Sequence, residues 1–256
     1  MRYKARVEYD GTDFSGFQNQ PEARTVQGEL EAALARICDG SRVRVDAAGR
    51  TDAGVHALGQ VIAFTDPRGR PAAELARALD ALLPRDVAIH EVRRVPAGFH
   101  PRHAARYREY RYTVWNGPRS PLRERFALGV RVQLDTAAME QAGSALVGRH
   151  DFSAFGVAHR QPVRTVYAVR VRGRDGSYVT IDVTADAFLR QMVRRIVAAL
   201  LEVGHGKTDE EAVAAALESR RPAFNGALAP AKGLCLRRVV MGRRPASTIA
   251  RSNGER

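Results

Sequence analysis

Apolar residues alternate with polar ones from the start of the chain. Over residues 2–9 every second position is apolar (Tyr3, Ala5, Val7, Tyr9), the period of a strand with one buried face. The period changes after Thr25, a residue able to cap a helix, where Val26, Leu30, Ala33, Leu34 and Ile37 follow at helical spacing. Residues 42–48 and 60–65 read as two further strands. Pro71 opens a second helix with Leu75, Leu79, Leu82 and Leu83 inward, and residues 87–95 form another strand. A basic segment bounded by Pro96 and Pro101, ending at His103, is the candidate boundary between two halves.

The second half has the same plan. A strand over 106–115 precedes a helix capped by Asp135 that runs to Val147 and stops at Gly148. A loop over 149–156 follows, then strands over 165–172 and 178–185, joined by a hairpin at Arg174-Asp175-Gly176. The longest helix is expected over 188–203. Thr208-Asp209-Glu210-Glu211 has capping-box spacing for a last helix to Glu218, and a strand over 234–240 closes the fold. Neighbouring strands joined by short connections favour α+β, with two similar α/β halves, over a doubly wound parallel sheet. The expected divisions are 1–103, 104–242 and a disordered tail over 243–256, where Arg, Pro, Ser, Gly and Asn replace the apolar pattern.

Between the strands over 42–48 and 60–65 lies Gly49-Arg50-Thr51-Asp52-Ala53-Gly54-Val55-His56. Glycine permits backbone conformations closed to other residues, so such a loop can hold a side chain at a fixed angle. Asp52 is its only carboxylate. An Asp beside glycine is often a plain turn-former. As a chemical group it could be a nucleophile, an acid–base group or a metal ligand. Metal binding is disfavoured, because no second carboxylate or paired His accompanies it at ligand spacing. Arg50, or Arg194 at the start of the longest helix, could keep it ionised by lowering its pKa roughly 1–3 units. His56 reads as a hydrogen-bonding support. Tyr110 and Tyr112 share one face of an arginine-rich strand and could cover core or stack on a base.

Charge narrows the partners. Among 256 residues, 41 are basic and 28 acidic, a net charge of +13. Such a field favours a polyanion, RNA or DNA, over a membrane, since no basic amphipathic helix stands out. Only Lys4, Lys207 and Lys232 are lysines, a bias ascribed mostly to coding composition. No run approaches the roughly 20 apolar residues needed to cross a bilayer. The first residues lack the apolar core of a signal peptide, so a cytoplasmic location is expected. Cys38 and Cys235 are expected to be buried free thiols, with a disulfide or metal site as alternatives. Phosphate-binding glycine motifs are absent, which argues against a nucleotide cofactor.

The loop over 49–57 resembles the signature loop of the tRNA pseudouridine synthase A family. The resemblance extends in order through Glu8-Tyr9-Asp10-Gly11, Phe14-Ser15-Gly16-Phe17-Gln18, Thr25-Val26-Gln27, Tyr110-Arg111-Tyr112, Gly148-Arg149-His150-Asp151-Phe152, Val163-Arg164-Thr165 and the segment 187–194. It covers about residues 2–240. It implies the pseudouridine synthase fold: two similar α/β halves joined through a broad mixed, mainly antiparallel sheet with flanking helices, and an active-site cleft between them. It also implies an isomerase acting on uridines 38, 39 and 40 in the anticodon stem-loop of tRNA, working as a homodimer without metal or other cofactor. On this likeness Asp52 is the catalytic nucleophile, Arg50 the arginine beside it, and Arg194 a basic partner of the aspartate. Tyr110 lies against the target base, with Phe17 and Gln18 as further substrate contacts. Phe17 stands where many members have Trp. Two other readings share some of these features: a tRNA-binding or folding module with dispensable catalysis, and an Asp-based nucleoside glycosidase.

Overall fold

A computed structural model describes residues 1–173, 176–221, 224 and 227–242. The expected tail and the Arg174-Asp175 part of the hairpin lie outside them. The chain divides into two compact units. Met1–Ala105 with Cys235–Met241 forms the first, and Arg106–Leu234 with Gly242 the second. The first unit is therefore not one continuous stretch: the last strand returns to it.

In the first unit, β1 (Arg2–Tyr9) lies antiparallel between β3 (His56–Thr65) and β4 (Val87–Arg94). The two-residue β2 (Asp46–Ala47) pairs antiparallel with β3, and β10 (Leu234–Met241) pairs parallel with it. The alternation in β1 is real packing, because Tyr3, Ala5, Val7 and Tyr9 are all buried. Helix α1 (Val26–Ile37) starts where expected: the Thr25 side chain accepts the Gly28 N–H, replacing a bond the first turn lacks. Helix α2 (Ala72–Leu82) packs on α1 and β4 through Leu75 and Leu79, with Pro71 just outside it and Leu82 half-buried.

The expected strand over 42–48 shrinks to β2 for an identifiable reason. Val43 and Val45 are buried as the alternation implies. The Val45 backbone, however, bonds to helix side chains: its N–H donates to Glu31 Oε1 at 3.0 Å, and its carbonyl accepts from Gln27 Nε2 at 3.2 Å. The basic segment before the second half also contains a short helix, α3 (Pro101–Ala104), which packs on β2.

In the second unit, β5 (Ala105–Asn116), β9 (Ser177–Ala185), β8 (Val163–Arg172) and β7 (Gly148–Asp151) follow one another antiparallel. The short β6 (Leu128–Val130) pairs parallel with β5. Both units are thus α+β with mixed, mainly antiparallel pairing. Helix α4 (Thr136–Ser144), capped by Asp135 onto Ala138 N–H, packs on β8 and on α5 (Met192–Gly204) and α6 (Glu210–Ser219). Four details differ from expectation. Helix α4 ends at Ser144, and tighter bonds, Gly143 O to Leu146 N–H and Ser144 O to Val147 N–H, carry the chain onward. The expected loop over 149–156 contains part of β7 and one 3-10 turn, Ser153–Phe155. Asp209, not Thr208, caps α6. Helix α5 begins four residues late, because Gln191 adopts a left-handed conformation at φ 65° that breaks helical continuity.

Candidate active site

The Asp52 loop is held from below by two neighbouring segments. Phe17 N–H donates to Thr51 O at 3.1 Å, Gly54 N–H to Phe14 O at 3.2 Å, and Val55 N–H to Asp52 O at 3.2 Å. Two glycines make this approach possible. A Cβ at Gly11 would collide with the Val55 carbonyl, and one at Gly16, where φ is +101°, would lie 3.1 Å from Thr51 O. His56 fills the expected supporting role: it is buried, Gly11 N–H donates to its Nδ1 at 3.0 Å, and Asp10 Oδ1 is 3.1 Å from the same nitrogen. Inside the fold, Tyr9 and Thr51 share a hydroxyl–hydroxyl bond of 2.8 Å, and Gln60 Nε2 donates to Gly49 O at 2.9 Å.

Of the six site residues inferred from sequence, Arg50, Asp52, Phe17 and Gln18 belong to the first unit, and Tyr110 and Arg194 to the second. Asp52 is half-buried and Arg50 exposed. Among the described residues, Arg50 makes no ion pair. Gln18 is exposed, whereas Phe17 is only 2% exposed and packs against Tyr9 with ring centroids 6.3 Å apart. Phe17 therefore packs into the core that supports the loop. The motif showed an aromatic among glycines, but not which way it pointed.

In the second unit, Tyr110 sits on the buried face of β5, its ring edge-on to Phe188 at 5.1 Å. Tyr112, on the same face, is core, and its hydroxyl donates to Pro230 O at 2.9 Å. Burial pushes the Tyr112 phenol well above its ordinary pKa, despite the opposing charge of Arg194. Arg194 is half-buried in the first turn of α5, and its Nε donates to Ala229 O at 2.7 Å. That bond holds the guanidinium by its inner nitrogen. Cys38 is a buried free thiol as expected, while Cys235 is free but only half-buried. Among the described residues, no group of three or more His, Cys, Asp or Glu side chains is arranged to hold a metal ion.

Residues 5–103 and 142–240 match the family model described as tRNA pseudouridine synthase. The tRNA pseudouridine synthase A of Syntrophotalea carbinolica is 44% identical over 238 residues, covering 91% of this chain and 94% of that protein. That of Geotalea uraniireducens is 44% identical over 237 residues, covering 91% and 96%. That of Thermotoga neapolitana is 42% identical over 243 residues, covering 93% and 99%. Together with the α+β fold and the braced aspartate loop, these matches define the class as pseudouridine synthases, isomerases of RNA uridine. Within that class, the chain belongs to the tRNA pseudouridine synthase family.

Proposed function

We propose that this tRNA isomerase converts uridines 38, 39 and 40 of the anticodon stem-loop, with Asp52 as the group that attacks or deprotonates a flipped-out nucleotide. Uridine and pseudouridine contain the same atoms. The reaction breaks the bond from ribose C1′ to N1 of uracil, turns the base, and forms a bond from C1′ to C5. The C5 hydrogen leaves as a proton, and N1 takes one up. Nothing is oxidised, so the chemistry requires a positioned group and no redox partner.

The observation that carries this reading is the bracing of Asp52. Its loop is pinned to Phe14, Phe17 and Gln60, while the carboxylate remains half-buried and Arg50 faces solvent. A preorganised carboxylate on a fixed loop suits nucleophilic or general-base work, whose rate depends on reacting atoms being held close. A stem base must leave its stack first, which costs a few kcal/mol. Tyr110, fixed edge-on by Phe188, offers a stacking surface worth roughly 1–3 kcal/mol per base. Arg50 is available to hold a phosphate or fill the vacated space, and Gln18 is exposed near the same loop. For Arg194, in the second unit, the proposed role as a basic partner of the aspartate rests on the family likeness alone. The positive charge favours RNA, and the exposed side chains of Leu122, Phe126 and Val132 suit a homodimer. Two free cysteines suit a reducing, cytoplasmic setting.

The test is Asp52→Ala in purified protein given unmodified tRNA. The expected result is retained tRNA binding with loss of pseudouridine formation. Full isomerisation by this variant would remove Asp52 from the chemistry. Release of free uracil by the unaltered protein would replace the isomerase reading with a glycosidase.

A further inference from the structure

Three polar side chains lie inside the fold beneath the Asp52 loop, and none is assigned a role by the chemistry above. Tyr9 is 3% exposed, Thr51 6% and Gln60 0%. They hold the loop at two neighbouring points. The Tyr9 hydroxyl bonds Thr51 Oγ1 at 2.8 Å, and Gln60 Nε2 donates to Gly49 O at 2.9 Å. Gln60 Oε1 accepts the N–H of Val61, so both ends of its amide are hydrogen-bonded. These bonds grip the loop on both sides of Arg50, at the Gly49 carbonyl and at the Thr51 side chain directly before Asp52.

A buried polar group costs free energy unless it is hydrogen-bonded, and apolar residues of similar size would fill this space without that constraint. What the polar groups add is direction: each bond fixes a loop atom at a set distance and angle. Burial pushes the Tyr9 phenol well above its ordinary pKa, against the pull of its bond to Thr51, so it stays neutral at working pH. It is therefore suited to hold a hydroxyl in place and not to exchange protons with a substrate. All three side chains are buried beneath the loop.

We propose that Tyr9, Thr51 and Gln60 act as one positioning unit that sets the orientation of the Asp52 carboxylate. This rests on the reading of Asp52 as the reacting group. Removing one hydroxyl from the unit leaves the loop attached but lets the carboxylate drift, and misplacement of about 1 Å can cost roughly 100-fold in rate. The defect should fall chiefly on kcat, because Thr51 directly precedes Asp52 and the carboxylate acts in the chemical step.

The experiment compares Tyr9→Phe, Thr51→Val, Thr51→Ser, the Tyr9→Phe/Thr51→Val pair and Asp52→Asn in the full chain. It reads kcat and KM for pseudouridine formation in tRNA, together with thermal melting. Tyr9→Phe and Thr51→Val should each lower kcat about 10- to 100-fold with KM within about twofold. Thr51→Ser, which keeps the hydroxyl, should recover most of kcat. The pair should be no worse than its poorer single member, because both changes break one bond. Unchanged kcat in a folded Tyr9→Phe or Thr51→Val protein, losses that multiply in the pair, or Thr51→Ser as slow as Thr51→Val would overturn the proposal. If Tyr9→Phe fails to fold, the comparison of Thr51→Val with Thr51→Ser decides alone. An active Asp52→Asn would instead overturn the reading of Asp52 itself. An inactive Asp52→Asn beside a fully active Tyr9→Phe would overturn only the positioning unit.

Discussion

Arg50 and Asp52 stand two residues apart and have opposite surroundings, one exposed and one half-buried between braced segments. This separates their roles. On a phosphate, Arg50 should add about one unit to the slope of log affinity against log salt. Arg50→Ala is expected to weaken tRNA binding and reduce that slope by about one, measured by binding titrations at several salt concentrations. An unchanged slope would remove it from the phosphate. Phe17 is a buried aromatic, and its change to Ala should cost roughly 3–5 kcal/mol of stability, read by denaturant unfolding. At this scale the sequence was legible where a residue's type constrained it. Asp52 was the only carboxylate in a glycine-bracketed loop, and His56 followed closely enough to brace it. Orientation was not legible. Tyr9 reads as one more apolar position in an alternating strand and Gln60 as an ordinary polar one, so nothing in either reveals that both brace the Asp52 loop.

Elements with a cap and a clean period were predictable because a local interaction defines them. Thr25 and Val26 start α1 through a bond spanning three residues, and Asp135 does the same for α4. Thr25→Ala should therefore destabilise the protein by about 1 kcal/mol, seen as a lower denaturation midpoint with unchanged m-value. Elements decided by distant partners were not predictable in this way. The strand leading into the Asp52 loop was shortened because Gln27 and Glu31, on a helix, take the backbone bonds of Val45. The three residues of β6 carry no usable period and are ordered by pairing with β5. The late start of α5 follows from the left-handed Gln191, whose effect is to leave Arg194 in the first turn and Arg190 outside the helix.

For the whole molecule, the charge of +13 draws the chain to RNA, while a few buried pairs hold it together. The fully buried Asp66 carboxylate is one of them. Burial alone would push its pKa up. The N–H groups of Arg70 and Arg68, the Arg70 guanidinium at 2.6 Å and the Cys38 thiol outweigh that and hold it below the ordinary 3.8. Its stabilising contribution is therefore complete above the unfolded-chain value near 3.8 and is lost as pH falls through the lower folded value. Asp66→Asn should cost roughly 3 kcal/mol at neutral pH, because it also strands the buried end of Arg70. The gap from the unaltered protein should narrow as pH drops below about 3.8, in unfolding curves taken across pH. A gap independent of pH would detach Asp66 from acid stability. The central claim remains that a braced Asp52 isomerises uridines of the anticodon arm. It is tested most directly by mapping pseudouridine at single-nucleotide resolution in unmodified tRNA incubated with the purified protein or with Asp52→Ala. The account predicts pseudouridine at positions 38, 39 and 40 with the unaltered protein and none with the variant. Pseudouridine only in other arms, or equal yields from both proteins, would contradict it.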